Sequence, residues 1–89
     1  MPEPGESLLV FPTEFPIKVL GETVPGFAQA MLAIVRKHAS DFSGDSMQMR
    51  PSREGKYLSL TFTINATSRA QLDALYQELS DHPMVKMAL

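Results

Sequence analysis

Few side chains in this sequence are equipped for covalent or acid–base chemistry. There is no cysteine, which excludes a thiolate nucleophile, a disulfide and a thiolate metal site. The two histidines are His38, after Arg36 and Lys37, and His82, between Asp81 and Pro83. No carboxylate constellation accompanies the pair, so neither a metal centre nor a catalytic dyad is assigned, and no cofactor is implied. Two other sets of residues could bind rather than react. Lys18, Arg50 and Lys86, with the hydroxyls of Thr61 and Thr63, are suited to an anionic surface. The run Gly21, Glu22, Thr23, Val24, Pro25, Gly26 has the character of a strand-to-helix loop, where free N–H groups can receive a carboxylate.

The composition limits what either set can be. A chain of 89 residues holds one domain and has little room for a deep pocket beside its core. The hydrophobic fraction of 44% and charged fraction of 20% are those of a globular protein. A net charge of −2 and a pI of about 5.5 disfavour nucleic acid as a partner. No apolar run approaches the ~20 residues of a membrane span. The cytoplasm is the expected compartment, since nothing in the chain calls for oxidation.

The elements follow from periodicity. Residues 1–7 read as a disordered tail and 8–89 as a single domain. Leu8, Leu9, Val10 and Phe11 are expected to pack as a short flap. Phe15, Ile17 and Val19 alternate with Pro16, Lys18 and Leu20, which predicts a strand over 14–20. Phe27, Met31, Ile34, Val35 and His38 recur at spacings of three and four, which predicts a helix over 24–38 with Thr23 as N-cap and Pro25 in its first turn. Met47 and Met49 mark a short second strand. Leu58, Leu60, Phe62 and Ile64 alternate with Ser59, Thr61, Thr63 and Asn65 in a third strand over 56–65. Ser68 and Gln71 form a capping-box pattern ahead of Leu72, Leu75, Tyr76 and Leu79, predicting a helix over 69–80. Val85, Met87 and Leu89 are expected on one face of a last strand. The methionines mostly fall at core parity and read as flexible packing.

The order βαββαβ is that of an α+β ferredoxin-like sandwich. Its four-stranded antiparallel sheet has order 4-1-3-2, with both helices on one face and the other face open. By parity Lys18, Arg50 and Lys86 all project from the open face, with Ser59, Thr61 and Thr63 between.

The residues carry a family resemblance. Phe11, Pro12, Thr13 and Phe15, then Lys18 and Gly21, resemble the opening of the YbeD-like family of small bacterial proteins. The likeness continues through Ser52, Gly55, Tyr57, Ser59, Asn65, Ala66, Leu75, Tyr76, Glu78, Leu79, Val85, Met87 and Leu89. It implies a ferredoxin-like fold similar to ACT regulatory domains and names no catalytic residue. In ACT domains a Pro-Gly pair in the first strand-to-helix loop helps to form an amino-acid site, often at a dimer interface. Pro25 and Gly26 look similar, although Thr23 and Val24 stand where an acidic residue commonly precedes the pair. The simpler reading is a helix start with a glycine for close packing.

Two enzymatic or nucleic-acid readings of this fold fail on chemistry. Acyl-phosphate hydrolysis needs an arginine in that loop to cradle the phosphate, and the loop has none. Base stacking needs aromatics on the open sheet face, where the third strand offers hydroxyls and, at its end, Tyr57. The preferred expectation is therefore a non-enzymatic regulatory or protein-interaction domain whose open face takes another protein with an anionic surface. The alternative is an ACT-like sensor of amino acids or carboxylates built on Gly21, Thr23, Pro25 and Gly26. A homodimer is compatible with either, and a purely solvated open face is the bland counterpart of the first.

Overall fold

Alternation at period two becomes a pair of long central strands in the structure, a computed structural model that describes residues 10–89. β1 (Thr13–Glu22) and β3 (Tyr57–Ala66) pair antiparallel along their whole length, with Ile17 opposite Phe62 and Val19 opposite Leu60. The edges are short: β2 (Gln48–Pro51) beside β3, and β4 (Val85–Ala88) beside β1. The sheet order β2-β3-β1-β4 is the expected order read from the other edge. The expected tail, with Leu8 and Leu9 of the flap, lies outside the described residues; Val10 is exposed and Phe11 packs partly against the core.

Two helices cover one face. α1 (Phe27–His38) buries Phe27, Met31, Ile34 and Val35, and α2 (Arg69–Asp81) buries Leu72, Leu75 and Leu79. These stripes meet Ile17, Val19, Leu60, Phe62 and Ile64 from the sheet in one core, which holds no buried polar side chain among the described residues. Phe42, from the loop after α1, packs edge-on against Phe62 at 5.6 Å between ring centres. No helix of the described residues is long and apolar enough to cross a membrane.

The start of α1 differs from expectation. Thr23 is not the N-cap: its N–H donates to the Lys56 carbonyl at 2.8 Å, which ties it to the end of the β1–β3 ladder, and the helix begins four residues later. Gly26 is the N-cap instead, at φ 85° and ψ −5°. With Pro25 before it and the Phe27 N–H donating to the Val24 carbonyl at 3.2 Å, this is the geometry of a type II turn. The turn delays the helix to Phe27.

The capping box at α2 is half realised. The Gln71 N–H donates to Ser68 Oγ at 3.0 Å, as expected. The Gln71 side chain does not reach back to the Ser68 N–H. Its Oε1 accepts the Thr67 N–H at 2.7 Å, and its Nε2 donates to the His38 carbonyl at 2.8 Å, capping the end of the other helix. Two turns further along α2, Glu78 Oε1 lies 2.7 Å from the Nε2 of the same His38 and 3.1 Å from Lys37 Nζ. The two helices are thus clamped by polar contacts above an apolar seam.

The last strand corrects the sequence reading. Val19 pairs with Ala88 and Leu20 with Met87, but Gly21 pairs with Val85, so Lys86 is skipped in a bulge. A bulge puts two residues of one strand opposite one of its partner and so reverses side-chain parity beyond it. Val85 and Ala88 pack towards the core, while Met87 and Leu89 are exposed. Met49 is also exposed, 57%: it has core-facing parity opposite Leu60, but sits on an edge strand.

Two measurements check this packing. Phe62 is fully buried, so Phe62→Ala should cost about 3–5 kcal/mol. Thr61→Ala, on the other face, should cost under about 1 kcal/mol; denaturant unfolding giving the reverse order would invert the sheet. The second concerns the clamp. Hydrogen bonds from His38 and then Lys37 hold the Glu78 carboxyl below its ordinary range. A carboxyl lowered on folding contributes stability above its unfolded pKa and loses it as pH falls through the folded value. Wild type and Glu78→Gln should therefore differ most above about pH 5 and converge in acid, as read from unfolding midpoints across pH.

Candidate functional site

The sheet face away from the helices is laid out by register. One row runs Arg50, Ser59, Leu20, Met87 across β2, β3, β1 and β4. The next runs Gln48, Thr61, Lys18 and reaches Leu89, which exchanges backbone hydrogen bonds of 3.0 and 2.8 Å with Lys18. Side chains in one row are about 4.8 Å apart from strand to strand, and rows are about 7 Å apart. Lys18, Gln48, Arg50, Ser59 and Thr61, with Met49 at the rim, surround a shallow basin of about 420 Å³. Neither Lys18 nor Arg50 forms an ion pair among the described residues.

Of the residues singled out in the sequence, Lys18, Arg50 and Thr61 come together at this basin. Lys86 does not join them. Displaced by the bulge, it places Nζ 3.4 Å from Glu22 Oε2 near the start of β4. Thr63 lies one row further on, opposite Pro16, beside a second hollow that includes Glu14 and Asp41. The cationic area is therefore smaller than parity predicts. Its neighbours include apolar groups that the sequence reading left out. Leu20 is half-buried, Met87 51% exposed and Leu89 64% exposed, and the three are adjacent by register. Leu20 was legible, being an apolar residue at outward parity in the first strand; Met87 and Leu89 were hidden by the bulge.

Among the described residues Lys18 and Arg50 are the titratable groups that line the basin, with no carboxylate or imidazole beside them. Histidine is the group most often used in general acid–base catalysis. The histidines are placed elsewhere: His38 on Glu78, and His82 with Nδ1 accepting the Met84 N–H at 3.1 Å.

The Gly21–Gly26 loop is arranged for packing. A Cβ on Gly21 would stand 2.5 Å from the Met84 carbonyl oxygen and 2.6 Å from the Phe27 ring, so no side chain fits there. Gly26 meets a conformational need, its positive φ, and has open space around its Cα. The backbone N–H groups of Thr23, Val24 and Phe27 donate to Lys56, Glu22 and Val24 carbonyls. Those donors are already engaged and leave a weaker cradle for a carboxylate. A small hollow of about 200 Å³ beside the loop is lined by Glu22, Val24, Pro83, Met84 and Lys86.

Comparison with known proteins agrees with this architecture. The chain is 56% identical to a UPF0250 protein of Nitrosomonas europaea over 94% of its own length and 97% of the relative's. It is 55% identical to one of Leptothrix cholodnii, covering 94% and 92%. Among solved structures, the C-terminal domain of the MgtC protein of Mycobacterium tuberculosis superposes with a TM-score of 0.69 at 18% identity, covering 92% of this chain and 89% of that one. The ACT domain from GTP pyrophosphokinase of Chlorobium tepidum does so with a TM-score of 0.59 at 17% identity, covering 86% and 97%. At such identities these two show the fold alone, which is ACT-like. The family model described as "Protein of unknown function (DUF493)" matches residues 6–89, and the chain belongs to that family, the YbeD-like group it resembles in sequence.

Proposed function

We propose that the chain is a non-enzymatic regulatory module that binds another protein through its open sheet face. The observation that carries this reading is the pair Lys18 and Arg50, unpaired among the described residues, flanking the hydroxyls of Ser59 and Thr61 on a face that no helix covers. A positive area on a net acidic protein attracts an anionic surface and orients it, and charge of this kind acts chiefly on the association rate. The likeness to an ACT domain is one of fold and leaves the partner to be argued from the face.

The sensor reading rests on the Gly21–Gly26 loop. Its glycines have structural roles and three of its backbone donors are engaged, which supports ranking it second. Amide shifts distinguish the two: titration with common amino acids should leave Thr23 to Ala28 unmoved, and a saturable shift there would reverse the ranking.

Charge reversal tests the docking reading directly. Lys18→Glu and Arg50→Glu are exposed changes and should leave the unfolding midpoint nearly unchanged. Each should weaken capture of a native partner, and wild-type association should slow as salt rises. Lys86→Glu, which sits against Glu22, should have the smaller effect on capture. A folded Lys18→Glu, Arg50→Glu double variant that bound its partner like wild type would refute the proposal.

A further inference from the structure

The open face is composite, and its layout describes an occupant. Leu20, Met87 and Leu89 form an apolar triangle on β1 and β4. Lys18 lies beside them on β1, in the row of Leu89, and Arg50 lies on β2, in the row of Leu20 and two strands from it. A partner must therefore present apolar groups to β1–β4 and carboxylates to Lys18 at the edge of the triangle and to Arg50 beyond it.

Strand addition does not fit this chain. β2 has four residues and ends at Pro51, which lacks the N–H that a new ladder needs. β4 has four residues and is interrupted by the bulge at Lys86; short, bulged edges resist pairing. The face remains available. A helix with its side chains is about 10–12 Å across, enough to cover two to three strands. Its residues at i, i+3 and i+4 hold their Cβ atoms about 5–6 Å apart, close to the spacing of the triangle.

We infer that the open face seats an amphipathic helix of another protein, apolar side on Leu20, Met87 and Leu89, with acidic residues along the flank that meets Lys18 and Arg50. This rests on the docking function proposed above and names its partner's chemistry. A second copy of the chain does not offer that helix. The exposed residues of α2 include Asp73 and Asp81 beside Arg69, and none is a large apolar group. Those of α1 are Gln29, Ala33, Arg36 and Lys37, which are basic.

Selection of random 20-residue peptides displayed against the full chain tests the inference. Enriched peptides should carry large apolar residues at i, i+3 or i+4 and i+7, with Asp or Glu on one flank, and should gain helical circular dichroism on binding. Their affinity should fall at least about tenfold for Met87→Glu and for Lys18→Glu with Arg50→Glu. Met87→Ser, which adds no charge, should also weaken binding and separates lost apolar contact from repulsion. Peptides that depend on Lys18 and Arg50 but are extended or lack the apolar period would overturn the helical partner and leave the docking function standing. Ligands indifferent to all these changes, or no enrichment, would overturn both. Self-association of wild type that Met87→Glu abolishes would assign the face to a second copy and overturn the inference.

Discussion

The close approach at Gly21 is the constraint on which the rest of the structure depends. The Met84 carbonyl and the Phe27 ring come so near the Gly21 Cα that no side chain could stand between them. The same point fixes three connections: the end of β1, the start of α1 through Phe27, and the entry into β4 through Met84. The register of β4 against β1 shifts there too, between Leu20 and Gly21. The strand skips one residue at this point, and the skip decides which face each later side chain occupies. Met87 and Leu89 leave the core side and join Leu20; Lys86 goes to Glu22 instead of to Lys18. The character of the open face follows from a packing contact on the covered one.

The covered face is held by apolar contact below and polar contact above. Gln71 caps the His38 carbonyl while Glu78 accepts from His38 and Lys37. The helices are thereby committed to each other and to one side of the sheet, and among the described residues no helix covers the other side. A wholly hydrophilic face would need no further account. This one sets exposed Met87 and Leu89 on the same face as Lys18 and Arg50, two cations without an ion pair among the described residues, a combination that suits a partner with both apolar and acidic groups.

Most of the fold was legible because its rules are local. Alternation in residues 56–65, the stripes of both helices and Ser68 as N-cap were all read from spacing and all appear. Parity on the central strands placed Lys18 and Thr61 on the open face. What was not legible was set by contacts between distant residues. The Thr23 N–H is held by the Lys56 carbonyl at the end of the β1–β3 ladder, so Thr23 belongs to the sheet and not to the helix start. The Gln71 side chain turns to another helix because His38 lies within reach. The bulge at Lys86 lies opposite Gly21, sixty-five positions earlier in the chain, and no pattern within the last strand announces it. For that reason the sequence reading set Lys86 beside Lys18, and Met87 and Leu89 on the covered side.

Apolar and cationic groups share one sheet face, and the Met87 methyl group reports on that sharing. Its nuclear Overhauser contacts in the free protein in solution should run to the Leu20 side chain and to none of the buried helix residues. Contacts from the Met87 methyl to Val19 or Leu79, with Lys86 lying beside Lys18, would mean an unbulged last strand and an open face without Met87.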